Sequence, residues 1–229
     1  MDHLPERSVQ TTSPWFIERF SYWLYASAQK HDPEERRKIC EAQVSPLEIK
    51  PGQRILDVGC GGGDVTALMK QKVGDEGWVA GIAPRVDFIQ ACRQTAREQK
   101  VEVDFRIGNM EKLAFEDNRF DLVTCMNVMM NVKDRTKTAG LKEMFRVLKP
   151  GGKVFIADLA KPPLTWQLPL NFFYYRMIYG VFGKVFWQGR FPEMMSQAGF
   201  LQIEQTPPVS NSFGILFMWL TNYTGRKPS

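Results

Sequence analysis

The sequence predicts an α/β fold: a doubly wound, seven-stranded, mostly parallel sheet with a C-terminal antiparallel hairpin and a helical lid. Three observations predict it. Short Val/Ile-rich runs alternate with amphipathic stretches from 54 to 158, a glycine-rich turn follows the first of these runs, and aromatic residues gather at the two flanks. Alternation of this kind places helices on both faces of a parallel sheet. A chain of 229 residues makes one domain. Its expected parts are an N-terminal helical cap (1–45), a cofactor-binding core (46–160), an aromatic lid insert (161–191), and a C-terminal helix with strands (192–229).

Arg54–Val58, Trp78–Ile82, Val103–Ile107, Asp121–Met126 and Lys153–Ala157 are the buried strands of that core. Between them, Phe88, Ile89, Cys92 and Ala96 recur at helical spacing, as do Leu141, Met144, Phe145 and Leu148. Lys149-Pro150-Gly151-Gly152 stops the second of these helices. Phe191-Pro192-Glu193 opens a short helix and Gly199 closes it. Phe200–Glu204 and Gly214–Leu220 follow as two strands with Pro207-Pro208 between them, a hairpin over roughly 200–206 and 213–221. The stretch 164–187 is apolar but carries Gln167, Asn171, Arg176 and Lys184. It reads as one or two helices over a pocket, with peripheral membrane contact as a secondary expectation.

Composition narrows the function classes. The formal charge is +5, and residues 161–229 hold six basic against two acidic side chains. No Lys/Arg cluster is built to track a phosphate backbone, so nucleic acid is not expected as a partner. The four cysteines form no CxxC pair and no zinc spacing, so no metal is expected, and thiols at this density suit a reducing compartment. The first residues show no basic segment followed by an apolar run. Cytoplasmic location is the expectation.

Of 28 aromatic residues, only seven lie in 26–160, whereas six fall in 15–25 and fifteen in 161–229. Either they fill the flanks' own core, or they line a cavity for a flat, greasy substrate.

Ile55 to Asp64 (ILDVGCGGGD) is a strand, a glycine turn and a helix start. Glycines admit a ligand close to the main chain, and the free N–H groups of the following helix favour a carboxylate or phosphate. The dinucleotide fingerprint would need glycine where Asp64 stands, and no G-x-x-x-x-G-K-[ST] is present. D-x-G-x-G-x-G remains.

With these features in order, the chain resembles a class I S-adenosylmethionine-dependent methyltransferase. It is nearest to the branch that C-methylates ubiquinone and menaquinone precursors. Leu56–Asp64, Gly74–Ile82, Asn109-Met110-Glu111, Leu113, Phe115–Asp121, Asn131-Val132 and Glu143–Gly152 (EMFRVLKPGG) carry the resemblance, with Lys161-Pro162 and Gln197–Phe200 after them. It implies a Rossmann-like fold and S-adenosyl-L-methionine as cofactor. Gly59, Cys60, Gly61, Gly62 and Gly63 would cradle the methionine end, and Asp57 would sit near its ammonium group. Ala83 and Pro84 would lie by the ribose, Asn109 and Met110 by the adenine, and Met126 and Asn127 would border the sulfonium. All stand at carboxyl ends of parallel strands.

Three departures accompany the match. Ala83 stands where the family has an aspartate that grips the ribose. Met130 stands where the quinone enzymes have arginine, and their Tyr-x-Tyr-Leu segment is absent.

Methyl transfer from a sulfonium asks chiefly for alignment and exclusion of water. His31 is the general-base candidate, with a solvent-facing helix end as the plainer reading of the same residue. The expected function is methyl transfer to a hydrophobic small-molecule acceptor. Fold alone leaves open a cyclisation or rearrangement without net methyl transfer, and a non-catalytic binding module.

Overall fold

The computed structural model describes residues 32–161, 183–210 and 219–229. Helix α1 (Pro33–Val44) starts where the Asp32 carboxylate accepts the Glu34 N–H at 3.1 Å, and runs into a 3₁₀ turn at Ser45–Leu47. Then come β1 (Arg54–Val58), α2 (Asp64–Val73), β2 (Trp78–Ala83), α3 (Val86–Glu98), β3 (Asp104–Ile107) and β4 (Phe120–Met126). A second 3₁₀ turn, Met129–Asn131, leads to α4 (Asp134–Val147) and β5 (Leu148–Leu159). The chain closes with α5 (Lys184–Trp187), α6 (Phe191–Gln197), β6 (Leu201–Gln205), β7 (Val209–Ser210) and β8 (Trp219–Arg226).

The sheet runs β3-β2-β1-β4-β5-β8-β6, seven strands, with the two-residue β7 paired to β8 as an eighth. Strands β1 to β5 are parallel to one another, whereas β8 is antiparallel to β5 and β6. The order reverses between β1 and β4. In sheets of this kind such a switch point opens a crevice at the strands' carboxyl ends, where ligands bind.

Alternation along each strand divides the core. Leu56, Val58, Ala80, Ile82, Val123 and Ile156 pack on the α4 side with Leu141 and Met144. Ile55, Val79, Leu122 and Phe155 face the other way, onto Val44, Met69 and Val73 of the first two helices. Ile89, Cys92 and Ala96 of α3 close a third cluster over Ala83 and Phe105. Ile89, Cys92, Ala96, Leu141 and Met144 are helical positions the sequence spacing marked, whereas Leu148, marked with them, opens a strand.

Two boundaries differ from the expectation. Strand β5 begins at Leu148, immediately after α4, and Lys149–Gly152 is its irregular first part, with a register shift against β4 between Phe120 and Leu122. The Pro-Gly-Gly run ends the helix but does not prevent strand pairing. The last strand runs on to Arg226 rather than ending near 221; the expected run Gly214–Leu220 lies mostly within 211–218, outside the described residues. Its inward residues are Thr221, Tyr223 and Gly225. Two of them are not apolar, so a search for hydrophobic runs slides toward the preceding segment.

The motifs that carried the family resemblance act here as fasteners. Glu143 accepts the Leu113 N–H at 2.7 Å, while Arg146 donates to the carbonyls of Leu113 (3.0 Å) and Phe115 (2.9 Å) and to Asp117. Helix α4 is thus tied to the β3–β4 connection. Asp121 accepts the Arg54 N–H at 2.8 Å and the Lys149 ammonium at 2.7 Å, joining the starts of β1, β4 and β5.

Candidate functional site

The glycine turn leaves β1 at the switch point. The N–H groups of Gly59 and Cys60 both reach the Ile82 carbonyl, at 2.8 and 3.0 Å, which fixes the turn on β2. Helix α3 holds its outer side: the Cys92 thiol meets the Gly61 carbonyl at 3.2 Å and the Thr95 hydroxyl donates to the Gly62 carbonyl at 2.8 Å. In a trans peptide the next N–H points the opposite way, so the Gly62 N–H is turned away from α3. Neither Gly61 nor Gly62 donates its N–H to an acceptor among the described residues. Gly61 has φ +54°, and a side chain built on it would meet nothing within 4 Å. This is an open cradle lined by main-chain donors beside the start of α2. It fits the carboxylate of an amino-acid ligand.

Asp57 lies beneath the cradle, 4% exposed. Its two oxygens accept from Thr66 of α2 (2.6 Å) and Thr124 of β4 (2.9 Å). Burial raises its pKa and the two hydroxyls oppose that rise. Each carboxylate oxygen retains a lone pair, so Asp57 can still receive an ammonium group.

The β4 end packs directly on this turn: a Cβ at Gly59 would lie 2.4 Å from Val128. Asn127 is exposed and left-handed, φ 57°, with its N–H on the Ala157 carbonyl at 2.8 Å. Met126, before it, is half-buried. At the β3 end, Asn109 makes a closed turn, its side chain bonded to the Glu111 N–H (2.9 Å) and carboxylate (3.2 Å). Met110 is buried against Gly140 of α4, so its side chain belongs to the core and only its backbone remains for a ligand.

At the β2 end, Ala83 is 2% exposed and packs under α3. Pro84 follows at the strand end. The nearby Arg85 guanidinium is engaged by Asp87, with Nε–Oδ1 at 2.9 Å. A ribose clamp by a carboxylate at position 83 is therefore absent, and Arg85 is already committed to an acid.

The structure brings Gly59–Gly63, Asp57, Val128 and Asn127 around one switch-point crevice, with Ala83 and Asn109 at neighbouring strand ends. His31 lies outside the described residues, as do 15–25 and 162–182. Sequence reasoning passed over Thr66, Thr124, Cys92, Thr95 and Val128. The only available signal was the spacing of Cys92 and Thr95 on one face of α3. No group of three or more His, Cys, Asp or Glu gathers as metal ligands among the described residues.

A doubly wound sheet with this cradle at its switch point is a ligand-binding α/β architecture, and the comparisons give its class. The chain belongs to the methyltransferase-domain family, whose model matches residues 49–199. It is a class I S-adenosylmethionine-dependent methyltransferase near the quinone C-methyltransferase branch. The demethylmenaquinone methyltransferase of Geobacillus sp. (strain WCH70) is 33% identical over 199 residues, 79% of this chain and 83% of that one. The ubiquinone/menaquinone biosynthesis C-methyltransferase UbiE of Stenotrophomonas maltophilia (strain R551-3) is 39% identical over 145 residues, 62% of this chain and 56% of that one. Among solved structures, the [4+2]-cyclase SpnF superposes with a TM-score of 0.71 at 19% identity, over 96% of this chain and 97% of that one. Phosphoethanolamine N-methyltransferase 2 of Haemonchus contortus, in complex with S-adenosyl-L-methionine, gives 0.65 at 18% identity, over 84% of this chain and 53% of that one. At such identities the shared property is the fold.

Proposed function

We propose that this methyltransferase binds the methionine end of its cofactor over Gly59–Gly63 and Asp57. The ribose would lie by Ala83 and Pro84, the adenine by Asn109 and Met110, and the sulfonium by Met126 and Asn127. When bound, S-adenosylmethionine supplies an electrophilic methyl group. The protein's part is to align the acceptor with it and exclude water.

The acceptor is a hydrophobic small molecule, with the demethylmenaquinone named for a relative as the first compound to test. The observation that carries this reading is the cradle itself: main-chain donors without acceptors, open space at Gly61, and walls fixed from behind. Sixteen of the 28 aromatics lie in 15–25 and 164–191, a supply of apolar surface for a lid over the strand ends. At the described end of that segment, Phe186 and Phe191 are fully buried and stack at 4.6 Å, beside Tyr223. Those two rings are core, so 15–25 and 164–182 remain to shape the pocket, with His31 as the base a phenol or enol would need. No helix among the described residues is long and apolar enough to cross a membrane. Four free cysteines support a reducing, cytoplasmic setting.

Titration with S-adenosylhomocysteine, then incubation with labelled cofactor and demethylmenaquinone, tests the reading. Binding with label transfer is the expected result. Binding without transfer to any hydrophobic acceptor from a lipid extract would reject the substrate class. Deleting 164–182 should abolish transfer and leave S-adenosylhomocysteine binding in place.

A further inference from the structure

Behind the β4 end lie two buried charged side chains that the reading above does not use. Asp158, near the end of β5, is 0% exposed. Its Oδ2 accepts the Met130 N–H at 3.2 Å, its Oδ1 accepts the Leu159 N–H at 2.8 Å, and the Met129 N–H also faces it. Lys137, on α4, has a side chain 0% exposed. Its ammonium donates to the Val132 carbonyl and to Asp134 Oδ1, both at 2.8 Å, and lies 5.6 Å from the centre of the Phe186 ring.

The two charges therefore grip one short turn from its two ends. The carboxylate takes N–H groups at 129 and 130, and the ammonium takes the carbonyl at 132. This turn directly follows Asn127, which is left-handed, and Val128, which packs on Gly59. Burying two such charges is a poor way to gain stability, since apolar residues of similar volume generally do as well or better.

We propose that Asp158 and Lys137 are positioning residues. They set the Met126–Asn131 turn at the reacting end of the crevice, so that cofactor affinity follows the charge on Asp158. The inference rests on the cofactor site proposed above. Among the described residues, the titratable groups facing this carboxyl are Lys137 from α4 and the Cys125 thiol from β4, with Tyr223 of β8 bonded to the adjoining Leu159 carbonyl at 2.8 Å. Cys125 is buried and its pKa is pushed up, so it stays neutral. Burial also pushes the Asp158 carboxyl up to about 7, against the opposing pull of its backbone donors and Lys137. The sign follows. A carboxyl raised in the folded state favours folding when protonated, and that advantage is lost as pH rises toward 7. Ionisation costs stability and strengthens the grip on the turn.

The test uses the full chain, with hydrogen exchange at Met129–Asn131 and titration with S-adenosylhomocysteine across pH 7. In the wild type, protection of these amides and affinity should both rise several-fold as pH passes about 7. Asp158→Asn should flatten both profiles, speed exchange of the turn about tenfold, as loss of a charge-assisted hydrogen bond implies, and raise Tm at alkaline pH. Lys137→Met should loosen the same amides while keeping a pH dependence. Unchanged profiles in Asp158→Asn, or a fall in its Tm at alkaline pH with turn exchange unaltered, would overturn the proposal. If Asp158→Asn does not fold, a wild-type turn whose protection ignores pH overturns it. Wild-type protein that shows the pH-dependent exchange yet binds no S-adenosylhomocysteine would overturn the cofactor site and leave the grip on the turn standing.

Discussion

Gly61 separates a ligand position from a packing position. Its left-handed backbone and the empty space around it mean that Gly61→Val should cost the fold only the strain of a β-branched residue at positive φ, roughly 1–3 kcal/mol. Its side chain would stand in the cradle, so S-adenosylhomocysteine affinity should fall at least tenfold in calorimetry. Gly59 behaves oppositely. A Cβ there meets Val128, so Gly59→Ala should lower Tm as well as affinity. At Ala83, restoring a carboxylate should tighten S-adenosylhomocysteine binding by about 1–3 kcal/mol, while lowering the Tm of the unliganded protein because the site is buried. Weaker binding in Ala83→Asp would mean that the ribose end has been rebuilt around other contacts.

Among the elements, α4 has the most consequential attachment. Glu143 and Arg146 join it to the Leu113–Asp117 connection through four hydrogen bonds and ion pairs that span about 30 residues of sequence. The Arg146 guanidinium, first, and the Leu113 N–H hold the Glu143 pKa below its ordinary value. A depressed acid contributes stability above its unfolded pKa and loses it as pH falls through the folded one. Glu143→Gln should therefore lower Tm most near neutral pH, with the difference from the wild type shrinking as pH falls, so that part of the acid limb of a Tm-against-pH curve flattens. Arg146→Ala leaves a half-buried carboxylate and two carbonyls without their donor, and should cost about 2–4 kcal/mol in urea unfolding.

For the molecule as a whole, the last strand is decisive. Strand β8 sits between β5 and β6, pairs with β7, and presents Tyr223, 1% exposed, to Phe186 and Phe191. Ending the chain at 218 would leave β5 with an open edge and the core with a hole the size of a tyrosine. Such a truncation should give no cooperative thermal transition by circular dichroism. Tyr223→Phe removes the bond to the Leu159 carbonyl and should cost about 1–2 kcal/mol.

The sequence alone determined the alternation of strands and helices and the glycine turn, because periodicity and local turn chemistry are written in neighbouring residues; the class of enzyme followed from the family resemblance those motifs carry. Leu56, Ile89, Cys92 and Leu141 announce their burial by spacing. The limit of that legibility appears in β8, whose inward residues include a threonine and a glycine. Tertiary structure decided which groups meet from distant segments: Thr66 and Thr124 on Asp57, Cys92 and Thr95 behind the glycine turn, Asp158 and Lys137 on the turn after β4. No local pattern encodes those pairs, since each joins strands and helices that only the closing of the sheet brings within hydrogen-bond distance.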